Sequence, residues 1–135
     1  MSANNLDRLA ARTAQEIVQN LTAEDAGKLE NLATKVLGVL QENGVYAGML
    51  FLYSRSAREK AYAENIREAL IKTLAQQELS ALHLSLPADK DQSNWLEVSD
   101  HLNTAVCDEL DTLLLIKQLW EQTLIYTRYS AKARG

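Results

Sequence analysis

Asn43-Gly44 divides a helix-patterned stretch from the apolar run Val45-Tyr46-Ala47-Gly48-Met49-Leu50-Phe51-Leu52-Tyr53, and this junction constrains the fold more than any other feature. Glycine enters the left-handed region at little steric cost, so Asn-Gly ends the helix that precedes it. The run that follows has no polar side on which to meet water and belongs in the middle of the molecule. Its length suits a buried strand or a short buried helix, and periodicity does not separate the two. Helix is the reading adopted, because no second strand-like run is present to pair with it. An isolated strand would leave its backbone polar groups unsatisfied.

Helical periodicity continues on both sides. Leu6, Leu9, Thr13, Ile17 and Leu21 form one stripe of a helix that starts after Asn4 or Asn5 as cap and ends near Asn20, with Arg8, Arg12, Gln15 and Gln19 on another face. Thr22, with Asp25 three positions on, reads as the cap of a second helix that turns Leu29, Leu32, Ala33, Val36, Leu37 and Leu40 inward. Ser56 and Glu59 read as a capping box for a helix reaching about Gln77, with Ala63, Ile66, Leu70 and Leu74 inside. Lys60–Glu64 and Glu68–Lys72 are spaced to support its outer face. Residues 78–86 suit a short helix. Pro87 opens the longest loop, and Ser93 is placed to cap a short helix containing Trp95, Leu96, Val98 and Leu102. The last helix is expected from Thr104 to about Lys132, roughly 40 Å at the usual rise. Leu113-Leu114-Leu115-Ile116 is apolar on all sides and is expected to be buried. Short links between these segments predict an all-α fold, a single compact antiparallel bundle of five to seven helices that spans residues 1–135 as one domain.

Composition agrees. A chain of 135 residues with one proline and five glycines is large enough for one sizeable core and offers few helix breaks. The net charge of −4 and pI of 5.2 argue against a free-standing nucleic-acid binder, though not against a local basic face on a subunit of a larger assembly. Cys107 is the single cysteine, which excludes an internal disulfide and fits a reducing compartment. The polar N-terminus lacks a signal-peptide core, and the run at 45–53 falls short of the roughly 20 residues that a membrane-spanning helix needs. A cytoplasmic protein with no membrane contact is the expectation.

Residues capable of chemistry are sparse. His83 and His101 are the only histidines, and neither has partners at metal-ligand spacing. Cys107, six residues from His101, reads as a small apolar side chain. Asp108, Glu109 and Asp111 read as acids placed for the dipole of the last helix. No nucleophile, base and stabiliser can be assembled, so no enzymatic activity, cofactor or metal is expected. The cations are more informative. Arg55, Arg58, Lys60, Arg67 and Lys72 fall within eighteen residues, and Lys117, Arg128, Lys132 and Arg134 form a second set. Phosphate binding needs only such groups pointing one way; the competing reading is a solvated face laced with salt bridges. Tyr126 and Tyr129 suit base stacking or packing, and Trp120, Leu119 and Leu124 suit the core.

Three stretches together resemble a known family. They are Arg8-Leu9-Ala10-Ala11-Arg12-Thr13-Ala14, the helix closing on Asn43-Gly44 with the apolar run to Phe51, and Leu113 to Trp120 with the basic residues that follow to Arg128. In order and spacing they resemble the small all-helical subunit of the type III-B CRISPR RNA-guided effector complex, the RAMP-module small subunit. The tryptophan comes later than in the family pattern and the chain is more acidic, so the type III-A small subunit and a type III-D equivalent stay open beside it. The resemblance implies a non-catalytic role in antiviral defence. Such subunits stack with copies of themselves beside backbone subunits, in a complex that also holds a large subunit, and together with the backbone subunits line the groove that holds guide RNA paired with target RNA. RNA cleavage and nucleotide chemistry belong to the other subunits. Carried onto this chain, the resemblance implies RNA-phosphate contacts from Arg55, Arg58, Lys60 and Arg67, then Lys117 and Arg128, then Arg12. The alternative from another functional class is a helical adaptor that binds only protein, through an apolar surface around Tyr126, Tyr129 and Leu86.

Overall fold

The computed structural model describes residues 3–134, with side-chain surroundings from residue 5 onward. Six α-helices carry the fold: α1 (Ala3–Val18), α2 (Ala23–Asn43), α3 (Val45–Tyr53), α4 (Lys60–Thr73), α5 (Trp95–His101) and α6 (Leu110–Arg134). A 3-10 helix (Gln77–Leu82) follows α4, and a π-helical turn (Leu102–Val106) follows α5. No strand occurs among the described residues.

Local chemistry explains the boundaries of α2 and α3. The Thr22 hydroxyl accepts the Asp25 N–H at 3.2 Å, which satisfies one orphan donor of the first turn. At the far end Gly44 takes φ 95° and its N–H closes on the Leu40 carbonyl at 2.9 Å. The chain then restarts immediately as α3, with Val45, Gly48, Met49 and Leu52 buried. The apolar run is thus a helix, seated against α2 and α4.

The organising element is α6, which packs along both α2 and α1. A helix wedged between two others needs two inward faces, and its buried residues (Thr112, Ile116, Leu119, Trp120, Thr123, Leu124, Thr127 and Ala131) cover more than one stripe. Small side chains at 123, 127 and 131 let neighbouring backbones approach. The hydroxyls of Thr123 and Thr127 donate to the carbonyls of Leu119 and Thr123, at 2.8 and 2.7 Å, so neither is buried unsatisfied. Trp120, 1% exposed, donates its indole N–H to the Thr73 hydroxyl at 2.9 Å and ties α6 to the end of α4.

Several boundaries differ from the sequence reading. Asn4 and Asn5 lie inside α1, not ahead of it. The Ser56–Glu59 capping box does not form: the Glu59 side chain makes no cap bond and is held by cations instead. Asn94, not Ser93, caps α5, its side chain accepting the Leu96 N–H at 3.0 Å, while Ser93 is folded onto Asp91. The last helix starts at Leu110 because residues 102–106 wind as a π turn, which leaves Asp108 and Glu109 ahead of it. Within 113–116 only Ile116 is buried, and Leu114 is 52% exposed; the deeply packed part of α6 is its threonine-bearing half. The pairs Lys60–Glu64 and Glu68–Lys72 give way to a longer-range one, Lys72 with Glu16 on α1 at 3.5 Å.

Between the 3-10 helix and α5 the chain runs as an extended strap, starting from His83 in the left-handed region (φ 54°). It is anchored by buried Leu84, whose carbonyl meets His101 Nε2 at 2.7 Å, and by the Tyr53 hydroxyl, which donates to the Gln92 carbonyl.

Candidate nucleic-acid interface

The fold sorts the seven cations that the resemblance implicates into three groups. Arg12, Arg55 and Lys117 are spoken for by acids: Arg12 by Glu78 at 3.0 Å, Arg55 by Glu59 at 3.5 Å and Lys117 by Glu121 at 3.0 Å. Arg55 is further fixed by the Phe51 carbonyl at 3.1 Å and by the Phe51 ring, 3.6 Å below its guanidinium carbon. Arg67 and Arg128 have turned inward. Arg67 is 8% exposed, its guanidinium lies 4.4 Å from the centre of the Tyr53 ring, and its Nε–H is buried without a hydrogen-bond partner. Arg128 is half-buried, with its Nε–H in the same condition. Among the described residues, only Arg58 and Lys60 of the seven are exposed and without an ion pair. The implied set is therefore not one continuous array.

Arg58 nevertheless has cationic company that the sequence reading passed over. It lines a groove of about 920 Å³ with Lys28, Asn31 and Lys35 of α2, Ser56, Ala57 and Glu59 of the connecting turn, and Tyr62 of α4. Lys60 opens α4 one residue beyond Glu59. Lys28 and Lys35 are seven residues apart, two helical turns, and so share one face of α2. That spacing was a visible signal, though nothing in α2 alone says that α4 brings Arg58 alongside. Lys28 also meets Glu24 at 3.4 Å, but both side chains are more than half exposed. Such a pair is worth about 1 kcal/mol at most and leaves the ammonium available to a competing anion.

Two further contacts shape the groove. The Tyr62 hydroxyl donates to Asp25 at 2.6 Å, pinning the start of α4 to the first turn of α2. That bond, with the Thr22 hydroxyl adding to it, holds the Asp25 carboxyl below its ordinary value; the same bond raises the Tyr62 phenol. Glu59 places Oε2 3.1 Å from Lys35 Nζ and Oε1 3.5 Å from Arg55 Nη1. Among the described lining residues it is the one acid, beside three cations, the polar groups of Asn31, Ser56 and Tyr62, and Ala57.

Arg134 of the second basic set, together with Arg12, behaves differently. Arg12 and Arg134 line a separate groove of about 570 Å³ between α1 and α6, where Arg134 donates to the Gln19 carbonyl at 2.7 Å. Both guanidinium groups are engaged in holding helices together. The tyrosines also divide: Tyr129 is 67% exposed, whereas Tyr126 is half-buried and donates to Asp7. Burial raises the Cys107 thiol, which disfavours the thiolate that a nucleophile would need. Among the described residues no group of three or more His, Cys, Asp or Glu is placed to hold a metal ion, and no helix is long and apolar enough to cross a membrane.

Comparison with protein-family models, curated proteins and solved structures finds no match to this chain.

Proposed function

We propose that this chain is a non-catalytic small subunit of a type III CRISPR RNA-guided effector, active in antiviral defence in the cytoplasm beside backbone and large subunits and further copies of itself. Its contribution is electrostatic. Cations held on a rigid helical frame neutralise phosphates of guide or target RNA without reading sequence, which suits a system in which base pairing carries specificity. The observation that carries this reading is the groove between α2 and α4, lined by Lys28, Lys35 and Arg58, with exposed Lys60 two residues beyond Arg58 at the start of α4. The RNA-facing residues in this proposal are Arg58 and Lys60 from the original set, joined by Lys28 and Lys35. Arg67 serves the interior.

The test is fluorescence anisotropy with a labelled oligouridylate across a salt series. Four phosphate contacts on a single strand predict a slope of log K against log salt near −3, at about −0.7 per contact. The pair R58E and K60E should flatten it by about 1.4. Binding indifferent to salt and to those reversals would count decisively against the proposal.

A protein-only adaptor has its own supporting observation: Leu110, Leu114 and Tyr129 expose more than half of their surface along α6. The two readings converge on that face, because a subunit of an assembly also needs protein neighbours. They part at the groove, which an adaptor has no reason to keep cationic.

A further inference from the structure

Glu59 is oddly employed. It stands immediately before α4, and its backbone carbonyl accepts the Ala63 N–H at 2.9 Å. Its side chain is in position to cap the helix and does not. Instead it lies in the groove wall, 22% exposed, with its two oxygens divided between Lys35 and Arg55. A phosphodiester presents the same thing to a pair of cations: two anionic oxygens on one centre.

We infer that Glu59 is a built-in stand-in for an RNA phosphate, occupying the position between Lys35 and Arg55 that a strand phosphate takes when the groove is filled. This rests on the proposed RNA role and adds its regulation. In the free protein Glu59 engages both cations and offsets one of their two charges, so an isolated phosphate gains little by displacing it. A continuous strand, anchored at the same time by Lys28, Arg58 and Lys60, displaces it, frees Lys35 for its own phosphate contact and gains Arg55 as a further one. Arg55 is poised for this exchange: Phe51 fixes its guanidinium through the carbonyl and the ring, so removing the carboxylate does not set it adrift. Glu59 thereby discriminates against mononucleotides and short anions in favour of polymeric RNA.

The variant is E59Q, which keeps the shape, removes the charge and replaces one of the two acceptor oxygens by an NH2 donor. It is measured beside wild type and beside E59Q with K35Q, using labelled oligouridylate and, separately, uridine monophosphate; circular dichroism melting verifies the fold. E59Q should bind oligouridylate roughly tenfold more tightly, the worth of one charge-assisted contact. Its salt slope should match that of wild type, because the bound strand meets Lys35 and Arg55 in both proteins, and the slope should flatten by about 0.7 when K35Q removes one of those contacts. Uridine monophosphate should bind E59Q measurably better than wild type. Oligouridylate binding by E59Q alone, with wild type silent, would show that a strand does not displace Glu59 and would overturn the inference. Unchanged affinity of E59Q for both ligands, while R58E and K60E still flatten the salt slope, would overturn the role of Glu59 and leave the RNA reading standing. Weaker binding by E59Q would show that Glu59 positions the cations, which also overturns it. Absence of binding in every folded variant would bring down both.

Discussion

Thr73→Val tests the joint that holds α6 to α4. The Trp120 indole N–H donates to the Thr73 hydroxyl at 2.9 Å, and both side chains are 1% exposed. The hydroxyl passes its own proton to the Leu70 carbonyl, so one oxygen serves a donor and an acceptor at once. Valine fills the same space and offers neither, so packing persists while the indole N–H is left buried and unpaired. An orphaned buried donor costs about 1–3 kcal/mol. With an unfolding entropy of about 2.1 cal/mol/K per residue, a chain of this size loses about 4 °C of Tm per kcal/mol. The expected fall is therefore about 4–10 °C by differential scanning calorimetry. In a Trp120→Phe background there is no N–H to orphan, and the same substitution should cost less; the difference is the coupling energy of the pair. Wild-type melting of Thr73→Val would refute the reasoning, as would an equal cost in both backgrounds.

Three other outcomes are expected. Gly44→Ala, at φ 95° with open space around the new methyl, should lose about 1–2 kcal/mol by backbone strain alone, whereas Gly48→Ala, whose methyl meets Leu40 at an ordinary 3.5 Å, should be neutral or stabilising in urea unfolding. Asp25 titrates below the ordinary aspartate value because Tyr62 donates to its ionised form, so its stabilisation is present above the unfolded value and is lost as pH falls through the depressed folded value; Tyr62→Phe should make the acid limb of a stability–pH profile shallower. Arg67→Glu should cost roughly 3 kcal/mol or more by burying a carboxylate against the Tyr53 ring, with RNA binding lost only through unfolding. Arg67→Met, which retains the apolar bulk, should stay folded and bind oligouridylate like wild type.

What could be read from the sequence was what local sterics decide. Asn43-Gly44 announces its turn because a positive φ is a property of one residue, and Thr22 announces its cap because the bond spans three residues. The apolar run was correctly a helix by elimination, and Trp120, Leu119 and Leu124 are core because α6 offers no other place for them. Long-range competition decided the rest. Ser56–Glu59 has the letters of a capping box, but Lys35, 24 residues earlier in the chain, and Arg55 hold the glutamate. Arg67 looked like a surface cation until Tyr53, from another helix, supplied a ring for it. The leucine cluster at 113–116 drew attention from the threonines of α6, whose polarity concealed that they are the buried contact with two helices. Lys28 and Lys35 went unnoticed because their meaning depends on Arg58, which only the packing of α4 on α2 brings near.

The central claim is that strand phosphates sit in the α2–α4 groove on a frame that does not rearrange. Titrating the isotopically labelled protein with oligouridylate and following backbone amide shifts tests it most directly. The account predicts that shifts gather at residues 28–35 and 56–62, recede as salt is raised, and leave the amides of the Trp120 region unmoved. Shifts gathered instead along the exposed face of α6 around Leu114 and Tyr129, with the groove silent, would contradict it.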